Sequence, residues 1–521
     1  MQQPLPSRVL VLDNGAHSIK AAWADPAAPS LNPQVVSPVT TFRNAISRSK
    51  TAKRSYVADE LESECDDFGG LTFRVPFDRG ILNNWDVQKT VWDRVYGDKG
   101  KGLAINPQET NLLLTEPVMN LPNVQEHYDQ IVFEEYDFAS YLRCPGPALV
   151  PYGIEARGIP TAPPPECALV IDSGFSFTHI VPILRGRVVS HAVRRIDVGG
   201  KLLTNYLKEL VSFRHWYMMD QTSVMEHAKE KVCYVSTRWE HDWDLANRDS
   251  NNSIVRTYVL PDFVPTSKNK LGYVRTGLTP PPPAPSPLPD GSGGSEMAAS
   301  SSSRATPAAA MTAGVGEQEE EQLLHLCNER FSVPEVLFTP STIDMNQAGI
   351  AETVAASIAL LPNELQGLFW SNVVCVGGNV AFEGFAERLR TDLRSFAPQE
   401  FDINVTVSAN PITATAAAGA SYLSLPPTSP LRAAFPTPLD PASFVTRQEY
   451  QEQGGSNACR KKFGRFYLRS ESKDDVDKYV FGGGAAAAGE PGAVLKGQGT
   501  VLGYGQQPAT AAAAGGGMVY R

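Results

Sequence analysis

Three short apolar runs in this chain each end in a glycine turn that could hold a phosphate group. The turns are Asp13-Asn14-Gly15, Asp172-Ser173-Gly174 and Gly377-Gly378-Asn379. Glycine lets neighbouring backbone N–H groups converge on an anion, and a carboxylate at a strand end can hold a hydrated Mg²⁺. Lys20 could reach the same anion from the next strand of a hairpin. One such turn usually only ends a strand, but three together favour a phosphate site.

The first two turns belong to an internal repeat. Residues 9–15 return, 159 residues later, as residues 168–174. Each copy is a continuous apolar run, which is typical of a strand buried on both faces. Each copy ends in Asp-polar-Gly, at the strand end where α/β folds bind ligands. The repeat therefore predicts an α/β fold with two related half-domains that face each other across a nucleotide cleft.

Composition limits the class of protein. The chain has 521 residues, 42% of them hydrophobic and 20% charged, as in an ordinary globular protein. A net charge of -10 argues against a broad nucleic-acid surface. We expect no membrane span, because no apolar run reaches about 18 residues. Seven scattered cysteines without C-x-x-C spacing predict a reducing compartment, the cytosol or the nucleus, and no zinc site.

Two segments have low-complexity composition. Residues 279–316 are rich in Pro, Ser, Gly and Ala, and residues 468–521 form a tail that becomes rich in Gly and Ala. We expect both to be disordered, because such segments cannot bury enough apolar surface to offset their ordering entropy. The acidic residues 317–321, followed by Leu323, Leu324 and Cys327, favour the start of a helix.

The glycine turns and several further segments resemble actin and the actin-related proteins through most of residues 8–466. The resemblance implies an actin-like α/β fold of two RNase-H-like lobes, each with a small subdomain, around a nucleotide cleft. The further segments are residues 115–117, 132–136, 178–182, 199–204, 229–235 and 329–335. The implied units are residues 1–158 and 411–467 for the first lobe, 159–278 and 317–410 for the second lobe, the insertion 279–316 and the tail 468–521.

The resemblance also implies which residues would contact a nucleotide. Lys229 and Glu230 match a helix that lines the base pocket, and Gly200 matches another cleft residue. A solvated helix face and a plain turn are the respective alternatives. The candidate nucleotide-binding residues are Asp13, Gly15, Lys20, Asp172, Gly174, Gly200, Lys229, Glu230, Gly377 and Gly378. ATP or ADP is expected only as a structural ligand, and the sequence leaves open whether nucleotide or Mg²⁺ binds.

Departures from the actin pattern fall where the chemistry would occur. His17 stands where the backbone must approach phosphate, and Phe175 cannot hold a metal-bound water. Gly146 falls at the place of the glutamine that positions water in actin. Because this hydrolysis needs an oriented water, we expect no catalytic residues and at most a very low ATPase rate. His17 and His179 lack partners at metal-ligand spacing, so packed or surface histidines are expected.

Residues 133–138, 172–182, 198–205 and 445–450 are similar to segments of a nuclear actin-related protein of Swr/SRCAP-type chromatin-remodelling complexes. That resemblance implies a non-catalytic structural subunit, mainly nuclear with some in the cytoplasm, that supports exchange of the Z-type variant histone into nucleosomes. The implied partners are the remodeller motor, a small zinc-finger subunit and the nucleosome or its histones. A subunit of another nuclear remodeller, or a slow ATP-binding cytoskeletal actin-related protein, is the alternative.

The loop that supports polymerisation in actin would lie between Phe42 and Tyr56, where this chain is short. We therefore expect no filament formation. The basic residues of this loop could contact DNA or an acidic partner, and a solvated charged loop is the other interpretation. They are Arg43, Arg48, Lys50, Lys53 and Arg54.

Overall fold

The computed structural model describes residues 8–25, 38–50, 52–153, 164–248, 252–262, 269–275, 321–425, 438–468, 470 and 472–481. The predicted insertion 279–316 lies outside the described residues, as does the tail beyond residue 481. In the described part of the chain, no helix has the length and apolar character needed to cross a membrane.

Strands and helices alternate along the chain. The strands are β1 (Val9–Asn14), β2 (Ser18–Ala24), β3 (Thr40–Arg43), β4 (Ile46–Arg48), β5 (Ser55–Val57), β6 (Thr72–Arg74), β7 (Phe77–Asp78), β8 (Ile81–Leu82), β9 (Asn111–Glu116), β10 (Ser140–Pro145), β11 (Cys167–Ser173), β12 (Thr178–Leu184), β13 (Arg187–Val189), β14 (Arg194–Ile196), β15 (Arg256–Val259), β16 (Tyr273–Val274), β17 (Leu323–Leu326), β18 (Val373–Val376), β19 (Val405–Val407), β20 (Val445–Thr446) and β21 (Tyr467–Leu468). The α-helices are α1 (Glu60–Glu64), α2 (Trp85–Tyr96), α3 (Pro122–Gln130), α4 (Gly200–Arg214), α5 (Thr222–Val232), α6 (Trp239–Arg248), α7 (Glu329–Glu335), α8 (Ile350–Ile358), α9 (Asn363–Trp370), α10 (Phe385–Phe396), α11 (Ala414–Leu423), α12 (Arg447–Glu452), α13 (Ser456–Phe463) and α14 (Lys473–Phe481).

Two sheets repeat the same strand arrangement. The first has the order β20-β10-β9-β1-β2-β3, and the second has the order β19-β18-β11-β12-β13-β21. In the first sheet β1 pairs antiparallel with β2 and parallel with β9. In the second, β11 pairs antiparallel with β12 and parallel with β18. The two copies of the repeat thus occupy equivalent positions, and the predicted two-lobed α/β fold is confirmed.

Apolar side chains cover both faces of the repeated strands. Residues 9–12 and 168–171 are completely buried, as the continuous apolar runs predict. Helix α11 packs on β1 and β2, and small residues let it approach closely. At Gly419 of that helix, a Cβ atom would lie 3.1 Å from Leu149 and 3.2 Å from Val11. Helix packing on the sheet therefore fixes where the turn after β1 points.

The two lobes share part of their apolar core. Val170, Val181 and Val374 of the second sheet pack in the core of the first lobe. Leu169 and Ile171, on the opposite face of the same sheet, pack in the core of the second lobe. This split follows the alternation of side chains along a strand. The lobes are therefore joined by packed apolar contacts.

Two segments differ from the sequence predictions. The predicted helix start near residues 323–327 is wrong, because Leu323–Leu326 forms β17 and pairs antiparallel with β15. Residues 473–481, which the sequence assigned to the low-complexity tail, form helix α14. Its Val476 is buried in the core of the second lobe, and β21 just before it pairs with β13.

Candidate nucleotide-binding cleft

A cavity of about 420 Å³ lies between the two lobes, and all ten candidate residues line it. Its size is within the range of small-molecule and cofactor sites. The residues come from both copies of the repeat, from the third glycine turn and from helices α4 and α5. The structure therefore brings together residues that the sequence separates widely.

The first turn holds its carboxylate by two side chains. Asp13 and Lys20 are direct partners in the β1–β2 register, and Lys20 Nζ lies 3.2 Å from Asp13 Oδ2. The Thr115 hydroxyl, at the end of β9, donates to Asp13 Oδ1 at 2.7 Å. Parallel pairing of β1 and β9 brings these strand ends to one edge. The predicted position of Lys20 on a hairpin strand beside Asp13 is confirmed.

The second turn has the same geometry but lacks the cation. Asp172 pairs with His179 in the β11–β12 register, so a histidine stands where the first copy has Lys20. Burial lowers the pKa of His179 to about 3, with a further contribution from Arg195. Burial raises the pKa of Asp172 to about 7, and Asp13 adds to this shift. The two repeated aspartates therefore repel each other across the cleft. Lys20, which pairs with Asp13, offsets part of this repulsion.

The third turn needs glycine at one position only. Gly377 has a φ of 99°, and a Cβ atom there would lie 2.2 Å from the Ser173 carbonyl oxygen. At Gly378, in contrast, a Cβ atom would meet nothing within 4 Å. The Asn379 side chain donates to the Gly174 carbonyl oxygen at 2.8 Å and to Ser173 Oγ at 3.1 Å. The third turn is thereby tied to the second.

Helix α5 presents three ionisable residues at helical spacing, Glu226, Lys229 and Glu230. Lys229 Nζ donates to the Gly200 carbonyl oxygen at 3.0 Å and to Thr204 Oγ1 at 2.9 Å. Burial lowers the pKa of Lys229. The alternative of a solvated helix face is therefore wrong for Lys229, whose ammonium group binds the start of helix α4, but it fits Glu230, which is exposed.

One carboxylate of the second lobe binds two side chains of the first. Glu226 Oε1 lies 2.9 Å from His17 Nε2, and Glu226 Oε2 lies 2.9 Å from Arg43. The Glu226 side chain is only 11% exposed. Burial alone would raise the pKa of Glu226, but Arg43 and His17 hold it well below its usual range. We call His17, Arg43 and Glu226 the interlobe clamp.

Aromatic rings extend this contact along the cleft. The Phe175 ring centroid lies 5.1 Å from that of His17. Phe177 packs against Gly80 in the turn between β7 and β8, where a Cβ atom would lie 1.9 Å from the ring. The Arg195 guanidinium lies 4.6 Å from the Phe177 ring centroid and donates to the Arg79 carbonyl oxygen at 3.0 Å. The two positions that depart from the actin pattern, His17 and Phe175, therefore contact each other across the cleft.

The three glycine turns differ in the space around them. At Gly378 a Cβ atom would meet nothing within 4 Å. Beside the first turn, the His17 side chain and the Glu226 carboxylate line the cavity. The Gly15 and Gly174 amides donate within their own loops, to the carbonyl oxygens of Asp13 at 3.1 Å and Phe177 at 3.0 Å. These two amides are therefore not free to bind a phosphate oxygen.

Gly146, at the position where the actin resemblance implies a glutamine, has no side chain. A Cβ atom at Gly146 would lie 4.0 Å from Asp13 Oδ1 and 3.8 Å from Thr115 Cβ, so the position does face the first turn. Within the described ranges, no group of three or more His, Cys, Asp or Glu residues is placed to hold a metal ion. Gly146 therefore faces the first turn without a side chain that could orient a water there.

One sequence interpretation needs correction. Arg43 is not a solvated loop residue, because it ends β3 and pairs with Glu226. His17 is a packed histidine, and its contacts with Glu226 and Phe175 join the two lobes. Glu226 was not among the predicted residues, although its spacing from Lys229 and Glu230 places it on the same helix face.

Comparisons with known proteins agree with this architecture. The family model described as Actin matches residues 5–464. The chain is 42% identical over 471 residues to Actin-like protein ARP6 of Cryptococcus neoformans, covering 88% of this chain and 85% of that protein. It is 36% identical to Actin-related protein 6 of Neurospora crassa, with 88% and 94% covered. It is 34% identical to Actin-related protein 6 of Drosophila melanogaster, with 78% and 90% covered.

Proposed function

Because the chain belongs to the actin family and, within it, to the actin-related protein 6 group, we propose that it is a non-catalytic structural subunit of a Swr/SRCAP-type chromatin-remodelling complex. In that complex it supports exchange of the Z-type variant histone into nucleosomes. The remodeller motor subunit hydrolyses ATP, and this chain binds the motor, a small zinc-finger subunit and the nucleosome or its histones. Its place of action is the nucleus, with some protein in the cytoplasm.

The observation that carries the proposal is the state of the phosphate end of the cleft. His17, Phe175 and Glu226 line the cavity beside the first two turns, His17 contacts both of the other two side chains, and Gly146 offers no side chain to orient water. Hydrolysis of ATP depends on positioned phosphates and a positioned nucleophile. A subunit that only organises other proteins needs neither. ATP or ADP with Mg²⁺ would therefore act here, if bound, only as a structural ligand.

An exposed aromatic patch supports a role in protein assembly. Phe213, Trp216 and Tyr217, at the end of helix α4 and in the segment after it, are 91%, 51% and 74% exposed. Clustered aromatic residues contribute strongly to binding energy in protein interfaces, and exposed apolar clusters mark interaction sites. We assign this patch to a protein subunit of the complex.

Affinity purification from the native cells tests the proposal. The tagged chain should recover a remodeller motor and a small zinc-finger subunit in constant ratio. Recovery of a different nuclear remodeller would favour the first alternative. Polymer that sediments in actin-polymerising salt, together with measurable ATP turnover, would favour the cytoskeletal alternative and contradict the proposal.

A further inference from the structure

The interlobe clamp joins the two lobes beside the first glycine turn. His17 belongs to the turn after β1, Arg43 ends β3, and Glu226 lies on α5 of the second lobe. The two ionised side chains of the clamp, Arg43 and Glu226, are 18% and 11% exposed. A charge pair this sheltered from solvent is screened far less than a surface pair. The clamp therefore resists separation of the lobes.

Further contacts bridge the outer part of the cleft. The Gly70 amide donates to Gln221 Oε1 at 3.1 Å. Lys270 Nζ donates to Asp66 Oδ1 at 2.7 Å and to the Cys65 carbonyl oxygen at 3.2 Å. These bonds join the small subdomain of the first lobe, which contains β4, β5 and β6, to the second lobe.

Apolar packing reinforces the same boundary. Leu271, in the second lobe next to Lys270, packs against a buried cluster of the small subdomain, which consists of Tyr56, Leu61, Cys65, Phe68 and Leu71. Phe177 of the second lobe fills the space above Gly80 of the first. The closed arrangement thus rests on contacts between the two lobes, both at the interlobe clamp and at the small subdomain.

A polyphosphate would weaken this arrangement. Its charge would lie beside the ionised Glu226 and would compete with that carboxylate for Arg43. Like charges within a few ångströms in a sheltered site are strongly unfavourable. To admit the phosphates, the chain would have to break the clamp and move the Phe175 ring away from His17.

We propose that the interlobe clamp replaces nucleotide as the link that holds the two lobes closed, and that Glu226 excludes polyphosphates from the cleft. The cleft therefore stays closed in a nucleotide-free protein. The remaining cavity keeps the base end open, so exclusion acts on the phosphates and not on a nucleoside.

The first test uses the purified full-length chain. Denaturation and chromatography measure nucleotide released per chain, and thermal unfolding is recorded with EDTA, with Mg-ATP and with adenosine. We expect less than about 0.1 nucleotide per chain and a Tm change below about 1 °C with Mg-ATP, since a ligand far above its Kd would raise the Tm by several degrees. Near-stoichiometric nucleotide, or a shift of several degrees with Mg-ATP, would overturn the proposal.

The second test compares two carboxylates of one helix by hydrogen exchange. Glu226→Gln removes the clamp charge, and Glu230→Gln removes the carboxylate one turn further along, which lines the same cavity. We expect backbone exchange in residues 77–82 and 174–179 to accelerate by on the order of tenfold in Glu226→Gln only. Equal exchange in the two variants would contradict the clamp. If Glu226→Gln does not fold, Arg43→Gln breaks the same pair from the first lobe and must open the same segments.

The clamp and the assembly proposed above can fail separately. Bound nucleotide would exclude the clamp as the lobe link and leave recovery of remodeller subunits unaffected. Absence of remodeller subunits would exclude the assembly and leave the exchange data unaffected.

Discussion

His17 Nε2 lies 2.9 Å from Glu226 Oε1, although 209 residues separate them in the chain. His17 occupies the turn where the backbone would have to approach a phosphate, and Glu226 comes from the facing lobe. A histidine at this position therefore supplies a contact between the lobes. We propose above that the same contact excludes phosphates from the cleft.

The stabilising effect of Glu226 should depend on pH. Its folded pKa lies below the ordinary value of 4.5, so its contribution is present above that pH and is lost as the pH falls below it. Glu226→Gln should lower the free energy of unfolding by about 3 kcal/mol at pH 7, the lower end of what breaking a buried ion pair costs. The difference from wild type should shrink below pH 4.5. Thermal unfolding from pH 3.5 to 8 measures it, and a constant difference would contradict this assignment.

Asp172→Asn should stabilise the protein at alkaline pH. The folded pKa of Asp172 is about 7 against an ordinary 3.8, so the folded chain holds a proton that the unfolded chain releases between these values. Wild-type stability from this group therefore declines as the pH rises through that window. Asn cannot ionise, so the variant should exceed wild type above pH 7 and approach it near pH 4.

The control for Asp172 is Asp402→Asn at an exposed site, which should change the Tm by less than about 1 °C at any pH, as most surface substitutions do. A loss of stability in Asp172→Asn at pH 8 would indicate that the carboxylate serves a bound cation.

The contact between Gly80 and Phe177 should couple the lobes energetically. Gly80 has a φ of 80°, and a Cβ atom would lie 1.9 Å from the Phe177 ring. Gly80→Ala therefore adds backbone strain and a clash. In a Phe177→Ala background only the strain remains, so the cost should fall by about 1 kcal/mol or more. A double-mutant cycle of unfolding free energies measures the coupling, and additive effects would exclude the contact.

The exposed aromatic patch should matter for assembly and not for folding. Phe213→Ser with Tyr217→Ser should reduce recovery of partner subunits at least about fivefold, since buried interface aromatics often contribute over 1 kcal/mol each. The Tm of the isolated chain should stay within about 1 °C. Leu368→Ser with Phe396→Ser, at exposed positions elsewhere, is the matched control. Equal recovery in both pairs would place the partner on another surface.

Periodicity and turn chemistry were enough to predict the local elements around the cleft. Residues 9–12 and 168–171 could be predicted as strands because continuous apolar runs need cover on both faces. The buried residues Phe385, Leu389 and Leu393 of helix α10 are spaced by four, as one face of a helix requires, so this helix is also readable from local spacing. The strand at Leu323–Leu326 could not be predicted in this way, because a short apolar run fits helix or strand and its pairing partner β15 lies far away in the chain.

The residues of the cleft likewise fall into those that local sequence predicts and those that it does not. The glycine turns and Lys20 could be predicted as site residues, because each is recognised from a pattern of a few neighbouring residues. Glu226 and Arg43 could not be predicted as site residues, because each acts through a partner in the other lobe that only the folded structure brings near. The spacing of charged residues on α5 shows that Glu226 shares a helix face with Lys229 and Glu230. No local pattern shows that it contacts a residue of the other lobe.

The amount of Z-type variant histone in chromatin tests the central claim most directly. It should be measured in cells that lack the chain and in cells whose sole copy is wild type or Asp172→Asn, at equal levels of the chain. We predict that loss of the chain lowers variant-histone incorporation several-fold and that Asp172→Asn restores it as fully as wild type. Unchanged incorporation without the chain would contradict the assembly role. Failure of Asp172→Asn at normal protein levels would contradict the non-catalytic role.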